Sequence, residues 1–290
     1  MMSSHMRFPA LREIQASVPH IGSFTARSSS RRARKVLLAA AILLLMSLPA
    51  AARSETGFLN RTVKLNGLES RYQVYLPAGW NKHSKWPVIL FLHGAGERGD
   101  DGILQTDVGL GHAVRQRPEA WNKFVIVMPQ CRKERFWTQP DMEQVALAAL
   151  ERSIREFHGD RSRLYLTGIS MGGYGTWSLA SHNPQMFAAL VAICGGIEAP
   201  RALPALKTDL AAGYDPYHDT AQKIGKVPSW VFHGAADPVV PVDGSQKMVE
   251  ALKDLGGEVR YTEYPGVQHN SWDRAYADPE LPEWLLAHHR

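Results

Sequence analysis

The sequence predicts an α/β fold: a mostly parallel sheet of eight strands with helices on both faces. Two observations predict it. Six short apolar runs between residues 87 and 264 lack the polar alternation of half-exposed strands, as strands buried on both faces do. Stretches of helical length separate most of them, the alternation that builds parallel sheets. Asn60–Leu65 and Arg71–Leu76 precede these runs as a hairpin around Asn66-Gly67, which makes the sheet mixed. The buried runs are Pro87–Leu92, Phe124–Met128, Arg163–Thr167, Ala188–Ile193, Ser229–Phe232 and Glu258–Tyr264. Helices are expected over Met142–His158, Gly172–Ser181, Asp243–Leu255 and Leu281–His289, with Asp243 capping the third and Gly256-Gly257 closing it. Gly196–Val227 is the longest stretch without a clear strand, and is expected to form a small lid or pocket wall.

Charge divides the chain. Residues 1–52 carry seven of the 33 basic residues and one of the 28 acidic ones, so the formal net charge of +5 belongs to that segment. The rest has no basic excess to attract nucleic acid. The segment reads as a leader with a signal peptide. Arg31-Arg32-Ala33-Arg34-Lys35 is a positive region, Val36–Leu48 an apolar run of 13 residues, and Ala50-Ala51-Ala52 a small-residue cleavage site. The run is short for a membrane span, which needs ~20 residues. A secreted or periplasmic protein without a stable membrane anchor is therefore expected, with residues 53–290 as its catalytic domain. Ser30-Arg31-Arg32 leaves the general and twin-arginine export routes both open.

Gly168-Ile169-Ser170-Met171-Gly172 is a G-x-S-x-G pattern between an apolar run and a helix. In that context the turn lifts the Ser170 hydroxyl above the sheet, and glycines are needed where it crowds the backbone. A serine nucleophile needs a base, and the base an orienting acid. In chain order these follow the serine. Asp237 comes just after one apolar run and His269 just after the last; Asp243 is the rival acid. The oxyanion donors are expected from the N–H groups of Met171 and of Ala95, in His93-Gly94-Ala95-Gly96. Glu97 and Arg98 are expected to pair and hold that loop. His93 and His233 read as braces of strand-end loops. Trp137 and Trp272 are candidates for an aromatic substrate wall. No metal set emerges: His288-His289 has no partner at ligand spacing. No dinucleotide or Walker motif points to a cofactor.

These motifs, with Phe91–Asp101, Met128–Cys131, Val231–Asp237 and His269–Asp273, resemble a family of bacterial α/β-hydrolases. Its members are labelled predicted peptidases or phospholipase/carboxylesterase-like proteins. They are akin to feruloyl esterases and polyhydroxybutyrate-depolymerase-type esterases. The resemblance spans about residues 60–290, and its departure is the longer Gly196–Val227 connection. It implies the α/β-hydrolase fold, the triad Ser170, Asp237 and His269, and a carboxylic-ester hydrolase without a cofactor acting on small-molecule or polymer esters. A serine peptidase with the same triad is an alternative. A catalytically silent binding protein is another, whose signature would be a broken triad. The implied sheet order also puts two strands between those preceding Cys131 and Cys194. At ~4.8 Å per strand the two ends lie ~14 Å apart, too far for a disulfide.

Overall fold

The computed structural model describes residues 55–201, 203–206, 208, 209 and 214–290. The expected leader, with its apolar run Val36–Leu48 and expected cleavage site, lies outside the described residues. Among the described residues no helix is long and apolar enough to cross a membrane.

The strands are β1 (Gly57–Leu65), β2 (Leu68–Leu76), β3 (Trp86–Leu92), β4 (Val125–Pro129), β5 (Gly159–Ile169), β6 (Ala189–Ile193), β7 (Ser229–Gly234) and β8 (Val259–Tyr264). They form one sheet in the order β1-β2-β4-β3-β5-β6-β7-β8. β1 and β2 run antiparallel to each other, and β2 antiparallel to β4. All later pairings are parallel. The β1–β2 turn is made by Asn66 and Gly67 at φ 49° and 82°, the two positive values that a type I′ hairpin turn demands.

The helices are α1 (Leu110–Gln116), α2 (Pro140–Glu156), α3 (Met171–His182), α4 (Pro216–Ile224), α5 (Asp243–Asp254), α6 (Trp272–Ala277) and α7 (Glu280–Ala287). Two cores result, one on each face of the sheet. Leu90, Leu92, Val127 and Leu166 point to one face, where α2, α3, α4 and α5 cover them with Val145, Trp177, Ala221 and Met248 among others. Phe91, Ile126, Met128 and Ile169 point to the other, under Val114 of α1, Tyr276 of α6 and Leu285 of α7. Alternate residues of one strand feed opposite cores, which is why the runs read as continuous.

Within the Gly196–Val227 connection, Pro216–Ile224 is α4. Asp215 caps it by accepting from the His218 N–H, and Tyr217, Thr220, Ala221 and Ile224 form its buried stripe. This part of the connection is thus a crossover helix between β6 and β7. Asp243 is the first residue of α5, whose N-cap is Val242 without a side-chain cap bond, so the expected capping role of Asp243 is not realised. β3 and β5 separate β4 from β6, and Cys131 and Cys194 are both free and buried. The implied separation of the two thiols holds.

Candidate active site

All the parallel strands point their C-terminal ends at one rim of the sheet, and the candidate residues collect there. β5 ends at Ile169 and α3 begins at Met171, leaving Ser170 alone to turn the chain, at φ 51°, ψ −116°. A side chain at such a φ costs of order 1–3 kcal/mol and persists only where its surroundings enforce it. Here the Ser170 N–H donates to the Ile193 carbonyl at 2.9 Å, and its carbonyl accepts from Gly173 and Tyr174 at 2.8 and 3.1 Å. Both glycines of the motif are sterically required. A Cβ on Gly168 would lie 2.0 Å from the Gly172 carbonyl oxygen, and one on Gly172 would lie 1.9 Å from that of Leu92. Backbone on both sides leaves no flexible neighbour to yield. Gly172→Ala is expected to cost about 3 kcal/mol or more, read as a lowered melting temperature or a loss of soluble protein. A melt matching that of the unaltered chain would contradict the close approach.

His269 stands over Ser170, in the loop after β8. Its Nε2 lies 2.9 Å from Ser170 Oγ and its Nδ1 2.7 Å from Asp237 Oδ2. A carboxylate only accepts, so Nδ1 carries the proton and Nε2 is free to accept from the serine hydroxyl. Asp237 follows β7, and its side chain is 0% exposed against 21% for His269. Asp237 Oδ1 accepts from the N–H groups of Val239 and Val240 at 2.8 and 3.0 Å. Burial opposes ionisation of Asp237. Hydrogen bonds from His233, His269, Val240 and Val239 outweigh it and hold the carboxyl well below the usual carboxylate range. The rival, Asp243, is exposed and paired with Lys247 at 3.2 Å.

Ala95, the expected second oxyanion donor, opens a 3₁₀ turn, Ala95–Glu97, after β3. Among the described residues, no hydrogen bond engages the N–H of Ala95 or of Met171. The turn is braced from beneath. His93 Nε2 accepts from the Cys131 N–H at 2.9 Å, which leaves the proton on Nδ1, 2.6 Å from the Gly94 carbonyl oxygen. Burial pushes His93 down to about 4, so the ring is neutral around pH 7 and keeps this tautomer. Arg98 Nε donates to the Ala95 carbonyl at 3.0 Å, and its guanidinium lies over the Phe136 ring at 5.2 Å. The expected Glu97–Arg98 pair is absent among the described ion pairs. Arg98 holds the turn through backbone carbonyls instead. Burial raises Glu97 above its ordinary value.

The two tryptophans part company. Trp137 is 1% exposed, and its indole donates to the His93 carbonyl at 3.0 Å. Its expected place in a substrate wall is corrected to that of a buried brace: the ring packs edge-on against His93 and is closed off from solvent. Trp272 is half-buried and stands edge-on to His269, with ring centres 5.3 Å apart and planes at 89°. It remains available to a substrate. Cys194 brings its Sγ within 4.8 Å of ligand atoms on Asp237 and His269. Burial pushes this thiol far above its ordinary range, which keeps it protonated and unlike a metal-binding thiolate.

Two features escaped sequence reasoning. The Val239 and Val240 amides on Asp237 depend on a loop conformation that no residue type announces. His233 also lies 3.3 Å from Asp237 Oδ2. The signal for that contact was the four-residue spacing His233 to Asp237 at a strand end.

A strand–turn–helix serine on the central strand of a mostly parallel eight-stranded sheet, with the histidine beyond the last strand, is the layout of an α/β-hydrolase. The chain belongs to the Dienelactone hydrolase family, whose model matches residues 123–278. That span includes Ser170, Asp237 and His269 but not Ala95. Among solved structures, a thermostable esterase is 33% identical with a TM-score of 0.68, covering 80% of this chain and 63% of its own. An acylaminoacyl peptidase of Pyrococcus horikoshii, 21% identical with a TM-score of 0.60, covers 84% of this chain and 42% of its own, and shows the fold alone. Among curated proteins, an "Uncharacterized secreted protein" of Arthroderma benhamiae is 27% identical over 214 residues, 65% of this chain. This chain spans only 22% of that relative's length. A protein of Aspergillus niger named "Probable feruloyl esterase C" is 24% identical over 229 residues, 78% of this chain and 76% of its own.

Proposed function

We propose that this chain is a serine carboxylic-ester hydrolase working through an acyl-serine intermediate. The observation that carries the reading is the unbroken hydrogen-bonded line from Ser170 Oγ through His269 to Asp237. The N–H groups of Met171 and Ala95, the proposed oxyanion donors, have no partner among the described residues. His269 Nε2 takes the proton as Ser170 Oγ attacks the ester carbonyl carbon. The resulting oxyanion lies between the N–H groups of Met171 and Ala95, each worth about 3–4 kcal/mol of transition-state stabilisation. The intermediate collapses, the C–O bond to the alcohol breaks, and His269 returns the proton to the departing oxygen. Water then repeats the sequence on the acyl-serine and releases the acid. Asp237 fixes the His269 tautomer and offsets the charge that the ring acquires.

For the substrate, two lines converge on esters of aromatic acids. The relatives include proteins named as feruloyl esterases, and the half-buried Trp272 beside His269 offers a flat ring an aromatic edge. Export is part of this reading: residues 1–52 have the charge and apolar run of a leader, and a relative is named as secreted. A fluorophosphonate probe followed by peptide mapping tests the nucleophile: the adduct should fall on Ser170, and an unlabelled protein would end the proposal. Matched ester and amide substrates sharing one acyl group test the class. The ester should give the far larger kcat/KM, because an amine leaves only when His269 protonates it in a well-aligned pose, whereas an alkoxide or phenoxide needs less help. Comparable values would move the protein to the peptidase reading.

A further inference from the structure

We infer that His233 is a positioning residue of the catalytic apparatus: it shares the Asp237 carboxylate with His269 and fixes how that carboxylate meets the base. The inference rests on the triad proposed above. His233 lies near the end of β7 and is 0% exposed. Its Nε2 lies 3.0 Å from the Val240 carbonyl oxygen and 3.3 Å from Asp237 Oδ2. Both of these groups only accept, so Nε2 carries a proton. Nδ1 lies 2.7 Å from Ser245 Oγ, in the first turn of α5, and that hydroxyl is 3.3 Å from the Gly195 carbonyl oxygen. The ring is thus anchored to α5 and to the segment just beyond β6 while its other edge holds the acid.

The consequence lies in the lone pairs of Asp237. Oδ1 is taken by the amides of Val239 and Val240. Oδ2 is divided between His269 Nδ1 at 2.7 Å and His233 Nε2 at 3.3 Å. With three hydrogen bonds on it, and a fourth contact from the His233 Nε2–H that the Val240 carbonyl also engages, the carboxylate cannot turn about its own bond without losing contacts. Its charge is also shared, so His269 receives only part of it. Of the other titratable groups nearby, Glu263 is the register partner of His233 on β8. Cys194 and Tyr174 face Asp237 from beyond β6 and from α3. None of these replaces the donor that His233 supplies.

Two substitutions separate positioning from packing. His233→Gln can place an amide N–H where Nε2 stood; His233→Asn reaches only as far as Nδ1. The glutamine variant is expected to keep kcat within about threefold and the acid limb of the kcat/KM profile unmoved. The asparagine variant is expected to lose about tenfold in kcat at unchanged KM. Its acid limb should move up by about half a pH unit, because a carboxylate with one donor fewer favours the imidazolium more strongly. Equal losses in both variants, or an acid limb that stays in place in the asparagine variant, would overturn the inference. Histidine ¹⁵N NMR of the unaltered protein adds a check without any variant: a His233 ring unprotonated at Nε2 excludes the shared carboxylate. Fluorophosphonate labelling of the same preparation reports on Ser170 alone, so the triad reading and the role of His233 fail separately.

Discussion

Ser170→Ala is expected to lower ester turnover by about a millionfold, the scale on which a triad nucleophile is lost, while the protein stays folded. The structure separates these two effects. Among the described contacts the hydroxyl is engaged only by His269 Nε2, so its removal leaves no buried polar atom without a partner. The strained backbone at φ 51° is held by main-chain hydrogen bonds that alanine keeps. Alanine meets the same steric cost there as serine, and stability should change by no more than about 0.5 kcal/mol. What remains after the substitution is binding and the oxyanion donors, which alone accelerate hydrolysis by about 10³–10⁴ over water in comparable triads. The measurement is kcat on an aryl ester with protein expressed free of the unaltered chain, next to a thermal melt. Ester turnover within tenfold of the unaltered protein, with the melt unchanged, would remove Ser170 from the reaction. A collapsed melt would instead mean that the elbow depends on the hydroxyl.

Much of this arrangement was legible in the sequence because it is written in apolar runs. The run Pro87–Leu92 differs from β3 by one residue, and Glu258–Tyr264 from β8 by one. Placing Asp237 and His269 needed only that each follows such a run. β5 shows the limit: it starts at Gly159, four residues before its apolar part, because Asp160–Ser162 are polar residues at the open end of the sheet. The missed helices share a cause. α1 and α6 have seven and six residues, too few for a helical period to emerge, and neither opens on a side-chain cap. α4 did carry its signal, an Asp-Pro start, but inside a long irregular connection. Trp137 shows the other kind of loss. An indole serves equally well as a wall or as a buried donor, and only the position of the His93 carbonyl decides between them. His233 is similar: its spacing from Asp237 was visible, but the direction of its ring was not.

Asp237→Asn is expected to lower kcat by about 10⁴, the scale seen when a triad acid becomes an amide, whereas Asp243→Asn should leave kcat within twofold. The contrast follows from what each carboxylate touches. The Asp237 side chain is fully buried and accepts the His269 Nδ1–H at 2.7 Å. Asparagine fills the same space, but its amide has one acceptor oxygen and one donor nitrogen where the carboxylate had two acceptors. If its oxygen stays on the Val239 and Val240 amides, its NH₂ faces His269 and forces the ring proton to Nε2. That proton then points at Ser170, and the ring can no longer accept from the hydroxyl. If the amide is flipped, the NH₂ faces two backbone N–H groups, a clash of donors that loosens the 237–240 loop. Either state also loses the negative charge that offsets the imidazolium. Asp243 is exposed and, among the described ion pairs, pairs with Lys247 across one turn of α5, an interaction worth about 0.3–0.5 kcal/mol. The measurement is kcat for both variants on one ester, with melts to show that each is folded. A damaging Asp243→Asn beside an active Asp237→Asn would reverse the assignment of the acid. Equal small losses would mean that His269 is oriented without either.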